Sequence, residues 1–437
     1  MMSRRLPLKK RVLFFVVVLS TIYGIMELAA VFAHRWGQGH WYTWAAASGE
    51  RRDALVSHAK TQPSPPHDQS FVIHPYLGFV AKPGWNEEVK KGPFLWKAAN
   101  VNRSSDGFQS REPVVQRRAQ DTVVVGICGG SVAKMYYRQG IHITLNDLHN
   151  HREFRGKRFI IVSLALGGYK QPQQLMALNY VLAQGGELDL LINIDGFNEV
   201  ALHSAENAKK DVYPLYPRSW YFQVGQVRDP VLLRQVGISA LLEERVQSWA
   251  NFCGSRPIRF SPTCHLVWKA RQRNLERKYA STVSQIANHK SDGGFEATGP
   301  PFEPGSDGEL YEHLVAIWKR CSRQMHGLCN ANGIRYFHFL QPNQYVEGSK
   351  PMDEDEKKIA VHHDHIYRPG VVHAYPMLSQ AGAELRSEGV RFIDMTQMFS
   401  ETWEPVYVDD CCHFGERGNE IIAHEIARAI LAELERE

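Results

Sequence analysis

Polar and apolar positions divide the chain sharply near its start. A basic segment, MMSRRLPLKK, is followed by an apolar run over residues 12–33 that only Glu27 and a few hydroxyls interrupt. At roughly 20 residues the run fits a bilayer core of about 30 Å. The flanking Arg4, Arg5, Lys9, Lys10 and Arg11 predict a cytoplasmic tail over residues 1–11 and export of everything beyond the run. Val31 and Ala33 also fit a signal-peptide cleavage site. An uncleaved anchor over 12–33 is the expectation, because the run exceeds the ~7–15 apolar residues of a signal core.

Residues 34–70 are mixed and polar, end in TQPSPPHDQS, and read as a linker or stalk. From residue 71, FVIHPYLGFVAKPG and NVNRSSDGFQSREP predict a small strand-and-loop element. The pattern then becomes regular. DTVVVGICGGS, a β-branched run, and RFIIVSLALGG and LDLLINIDG after it end in glycine turns, as buried strands do, and QPQQLMALNYVLAQGG between the last two is helical. This alternation predicts a parallel sheet covered by helices. It lapses over residues 201–304, a segment rich in Arg, Pro and aromatics with an amphipathic stretch over 230–287, read as an insertion lying over one sheet edge. It then resumes with a helix in ELYEHLVAIWKRCSRQMHGLCNANG, strand IRYFHFLQ, helix AYPMLSQAGAELRSEG, strand VRFIDMTQMF and a last helix after Gly415. Residues 71–437 are thus expected to form one α/β domain with an insertion. No internal repeat is visible.

Composition narrows the classes. With 437 residues, 43% hydrophobic and 22% charged, the chain can bury a large core and is not a disordered protein. Its formal net charge of +5 is mild and partly confined to the basic tail, which argues against a nucleic-acid partner. Seven cysteines in an exported chain suggest disulfides, with Cys253–Cys264 and Cys321–Cys329 as the preferred pairs; Cys411 and Cys412 are left open, and Cys128 reads as a buried apolar residue. No spacing indicates zinc, and His362, His363 and His365 in VHHDHIY read as a polar loop. No cofactor and no metal are expected.

Ligands of parallel sheets bind at the carboxyl ends of the strands, so the glycine turns are where chemistry is sought. Ser131 follows the first of these strands through Gly129 and Gly130. It reads either as a nucleophile, its amide at a helix N-terminus where negative charge is stabilised, or as an N-cap. Gly168 after the second strand allows close backbone approach to a substrate, or merely makes a turn. Asn198 after the third can donate to an oxyanion, or cap a turn. Asp410-x-x-His413, before the last helix, offers a carboxylate to orient an imidazole as general base; Asp409 is a second carboxylate beside it.

Gly-Gly-Ser, Gly-Gly, Gly-x-Asn-Glu and Asp-x-x-His in this chain order resemble the SGNH (GDSL-like) hydrolase family, over roughly residues 122–200 and from 334 onward. The resemblance implies a three-layer α/β/α sandwich with a parallel, flavodoxin-like sheet. It further implies Ser131 as nucleophile, His413 as base, Asp410 as its orienting partner, and an oxyanion hole from the amides of Ser131 and Gly168 and the side chain of Asn198. Two positions depart from the family pattern: Gly130 stands where the family has aspartate, and Glu199 follows Asn198 in place of aspartate. Together with the anchor, these features predict an exported, membrane-attached serine esterase acting on O-acyl groups, acetyl foremost, of a small ester or an acylated envelope or extracellular glycan. The alternatives are an O-acyltransferase of an exopolysaccharide using the same triad, and a catalytically inactive binding or assembly module.

Overall fold

The structure is a computed structural model that describes residues 7–60, 71–82, 106–224, 229–289 and 294–436. Arg4, Arg5 and the TQPSPPHDQS stretch lie outside them, as does part of NVNRSSDGFQSREP. Two compact units emerge, one of Met1–Asp68 with Gln226–Asp292 and the other of Gln69–Gly225 with Gly293–Glu437.

The first unit is helical. Helix Leu8–Gln38 carries the apolar run, and it is long and apolar enough to cross a membrane. The segment read as a linker contains helix Trp44–Lys60, and the insertion supplies helices Pro230–Gly254 and Pro262–Asn288, which pack on each other. Each of these two begins with an N-cap side chain and a proline in its first turn: Asp229 accepts the amides of Val231 and Leu232, and Ser261 that of Cys264. The 34–70 segment is therefore not a bare stalk. Arg51, from within it, places Nη1 3.3 Å from the buried ring of His265, a contact between distant positions that local polarity cannot reveal.

The second unit holds a mixed α/β core. A hairpin of β1 (Phe71–His74) and β2 (Gly78–Ala81) precedes a five-stranded parallel sheet of β3 (Thr122–Gly129), β4 (Arg158–Ser163), β5 (Leu190–Asp195), β6 (Arg335–Leu340) and β7 (Arg391–Asp394). The spatial order is β4-β3-β5-β6-β7. Every residue of β3 and β5 is buried, which is why both strands read as unbroken apolar runs. Helices Asp307–Ala331 and Arg368–Ser387 pack together, and the final helix Glu416–Leu434 packs on Ser131–Gln139 and Ile141–His149. Burying each large aliphatic side chain of this core contributes ~1.5–3 kcal/mol. A polar knot lies within it: Asp195 accepts from Trp318 Nε1 (2.7 Å) and Asn193 Nδ2 (2.8 Å) and contacts His338 Nε2 at 2.7 Å.

All seven cysteines are free thiols, against the expected disulfides. Cys321 and Cys329 share helix Asp307–Ala331. Eight residues apart at 1.5 Å per residue, they are separated by ~12 Å, far beyond disulfide reach.

Candidate functional site

Strand order reverses between β3 and β5, and the crevice at their carboxyl ends is where such sheets bind ligands. Ser131 begins a helix directly beyond β3. The two glycines before it are dictated by crowding. A Cβ on Gly129, whose φ is +137°, would meet the carbonyl oxygen of Ile194 at 2.1 Å, and one on Gly130 would meet Nδ2 of Asn198 at the same distance. Asn198 thus sits against the Gly130–Ser131 peptide. Gly130→Ala is accordingly expected to displace the Asn198 side chain and to lower the melting temperature, which thermal unfolding would check.

The turn after β4 completes the same edge. Gly168 has φ +80°, a left-handed conformation that favours glycine, and Asn198 donates from Nδ2 to the carbonyl of the next residue, Tyr169 (2.7 Å). Glu199, buried, holds this turn against β5. Its Oε1 accepts from the amide of Gln171 (2.9 Å) and from Gln174 Nε2 (3.0 Å), and its Oε2 from the amide of Gly196 (2.9 Å). Burial, reinforced by the charge of Asp195, pushes its pKa up to about 8.

The imidazole arrives from the other end of the chain. Residues 406–415 fold back on themselves through a Tyr407–Phe414 bridge, with the amide of Gly415 on the Val406 carbonyl (2.8 Å) and that of Val408 on the His413 carbonyl (3.1 Å). At the tip His413 Nε2 lies 2.7 Å from Ser131 Oγ, and Nδ1 lies 2.5 Å from Asp409 Oδ2. The carboxylate on the ring is therefore that of Asp409, which corrects the expectation of Asp410. The reason is the turn itself. Asp409 Oδ1 accepts the amides of Cys411 (3.0 Å), Cys412 (3.1 Å) and His413 (3.2 Å), curling the backbone so that the other oxygen faces the ring. The Asp410 carboxylate points elsewhere, 3.8 Å from His362 Nε2 and 3.7 Å from His365 Nε2.

Electrostatics follow from these contacts. Burial works to raise the Asp409 pKa, but the hydrogen bond and charge of His413 and the turn amides hold it down at about 2. For His413 burial disfavours the charged ring, and Asp409 outweighs it, so the pKa is raised above the usual 6.5. An ionised Asp409 can only accept, which puts the ring proton on Nδ1 and leaves Nε2 to accept from the Ser131 hydroxyl.

Several supporting residues carried no signal at the level of single positions. Asn343 Nδ2 donates to the Cys411 carbonyl (3.1 Å), Gln344 Nε2 to that of Asp409 (3.2 Å) and Tyr345 Oη to that of Asp410 (2.7 Å), so three successive residues after β6 hold the imidazole loop. The polar run QPNQY directly after an apolar strand is the feature that could have flagged them. Arg218, from the segment read as an insertion, pairs with Glu206 through Nε (2.9 Å) and Nη2 (2.8 Å) and lies beside Gly168.

Two groups could in principle hold a metal ion among the described residues: Cys411, Cys412 and His413 in the second unit, and His34, Glu50 and His265 in the first. In the former both ring nitrogens already face Asp409 and Ser131. In the latter two cations are already in place, Lys269 Nζ on Glu50 (2.8 Å) and Arg51 on His265.

No family model matches the chain. Among curated proteins, the mitochondrial import inner membrane translocase subunit TIM50 of Mus musculus is 31% identical over 128 residues, which is 29% of this chain; the match also spans only 29% of that protein's length. Among solved structures, the acetyl xylan esterase AlAXEase is similar with a TM-score of 0.34 and 10% identity, over 70% of this chain and 98% of that one. At such values neither likeness bears on the chemistry, which is read from the geometry alone.

Proposed function

We propose that the protein is an exported, membrane-anchored serine esterase of the SGNH type, with Ser131 as nucleophile, His413 as base and Asp409 as the group that orients it. The observation that carries this reading is the unbroken relay from Ser131 Oγ through both nitrogens of His413 to Asp409, at the carboxyl edge of a parallel sheet. The strand order β4-β3-β5-β6-β7 is the 2-1-3-4-5 order of flavodoxin-like sheets, which supports the three-layer α/β/α assignment.

In this mechanism the Ser131 oxygen attacks an ester carbonyl while its proton passes to His413 Nε2. The carbonyl oxygen becomes an oxyanion, held by the amides of Ser131 and Gly168 and by Asn198, whose amide nitrogen has a second hydrogen besides the one given to Tyr169. Collapse breaks the carbon–oxygen bond, and the alcohol leaves with the proton from His413. Water, deprotonated by the same ring, then releases the acid and restores Ser131. The substrate class we assign is an O-acyl, chiefly acetyl, ester of an envelope or extracellular glycan. An N-terminal helix long and apolar enough to cross a membrane supports this, as do the rings of Tyr216 and Trp220, whose centroids lie 6.0 Å apart in the segment that delivers Arg218.

A fluorophosphonate probe offered to the intact protein tests the reading. Stoichiometric labelling that maps to Ser131 is the expected result, and a folded protein that stays unlabelled overturns it.

A further inference from the structure

The helical unit carries exposed aromatic side chains that the esterase reading leaves unused. Helix Leu8–Gln38 has no part of its most apolar window buried against protein. Its contacts with helix Pro262–Asn288 and its cap reach inside the apolar run, where Tyr23 and Glu27 both meet Ser261. Glu27 accepts from Ser261 Oγ (2.5 Å) and from the amide of Thr263 (3.2 Å), and Thr263 Oγ1 donates to the Met26 carbonyl (3.3 Å). Farther along, Lys269 Nζ donates to Gln38 Oε1 (2.6 Å), so helix Pro262–Asn288 rises alongside the apolar helix from the level of Glu27 outward. The connection from Pro230–Gly254 into that helix forms the tip of a hairpin pointing down the apolar helix. Glu27 precedes the end of the run at Ala33 by about 9 Å at 1.5 Å per residue, a depth within the apolar-to-headgroup boundary.

The tip is built for that boundary. Phe252, Phe260 and Trp44 are 54%, 47% and 51% exposed. The Arg259 guanidinium lies 4.6 Å from the Phe260 ring centre and 5.5 Å from that of Trp44, and Tyr42 Oη fixes the Arg259 carbonyl at 3.0 Å. Aromatic rings with an arginine among them are the composition of a membrane–water interface, where the rings sit at headgroup depth and the guanidinium reaches the phosphates.

We propose that this hairpin tip inserts into the headgroup layer of the same membrane that the apolar helix crosses, with Arg259 on a phospholipid phosphate. The proposal rests on the anchor reading above. It turns a single-helix tether into a two-point attachment that fixes the unit's tilt against the bilayer.

Photo-crosslinking of the full chain in phosphatidylcholine–phosphatidylglycerol vesicles tests it, with a photoreactive phenylalanine analogue placed singly at Ile25, Phe260 or Ile238. Lipid adducts at 25 and 260, with the adduct at 260 at least ~5-fold above that at 238, are expected, because position 238 lies some 24 Å up its helix from the tip. Adducts at 25 without any at 260, or equal labelling at 260 and 238, overturn the insertion while leaving the anchor intact. No adduct at 25 removes the spanning helix, and with it the two-point attachment, whatever is found at 260.

Discussion

Ser131→Ala is expected to lower kcat/KM for 4-nitrophenyl acetate by ~10⁴–10⁶-fold and to abolish fluorophosphonate labelling. The size follows from what the hydroxyl does in the proposed mechanism: without it no acyl-enzyme forms, and only the oxyanion donors and substrate binding remain to act on water. His413→Ala should cost nearly as much, and the double variant no more than either alone, because groups that act as one unit are not additive. The fold should survive. Among the described residues the Ser131 hydroxyl hydrogen-bonds His413, and alanine is a good residue for the first turn of its helix. Melting temperatures within a few degrees of the parent would show that lost activity reflects chemistry. Retained turnover and labelling in Ser131→Ala would mean that the relay is a structural hydrogen-bond network and that the nucleophile lies elsewhere.

How much of this was legible in the sequence depended on whether local pattern or distant contact decides each feature. Strands β3 and β5 were readable because every residue in them is buried, leaving continuous apolar runs closed by glycine turns. Ser131, Gly168, Asn198 and His413 could be singled out because parallel sheets gather residues at one edge, and the structure does bring the turns that bear them together there. Asp409 could not be told from Asp410, since the choice is made by three amides of the same turn. The helical unit was missed for a related reason. Its segments lie some two hundred positions apart, and their pairing rests on contacts such as Glu27 with Ser261, which neither segment announces alone. Gly130 shows the reverse case. Its departure from the family pattern was visible, but the close approach of the Asn198 amide to its backbone shows only in the fold.

The adjacent carboxylates give the sharpest test of the site. Asp409→Asn should lower kcat by ~10³–10⁴-fold, because an amide facing Nδ1 can donate as well as accept and so favours the tautomer with its proton on Nε2, which cannot take one from Ser131. Asp410→Asn should stay within ~5-fold of the parent, its side chain lying beside His362 and His365. The pH dependence separates these roles further. In the proposed mechanism the reactive ring is the neutral one, and Asp409 holds the His413 pKa above 6.5, so activity in the parent should rise with pH through a pKa above that value. Removing the Asp409 charge takes away the hydrogen bond and attraction that favour the charged ring and leaves the effect of burial, so the acid limb of the residual activity should move to lower pH. The Asp410 variant should keep the parental limb. An Asp410→Asn enzyme that loses activity and shifts its acid limb, beside an Asp409→Asn enzyme that does neither, would show that the turn rearranges when substrate is bound and that the geometry of the free protein does not persist through the reaction.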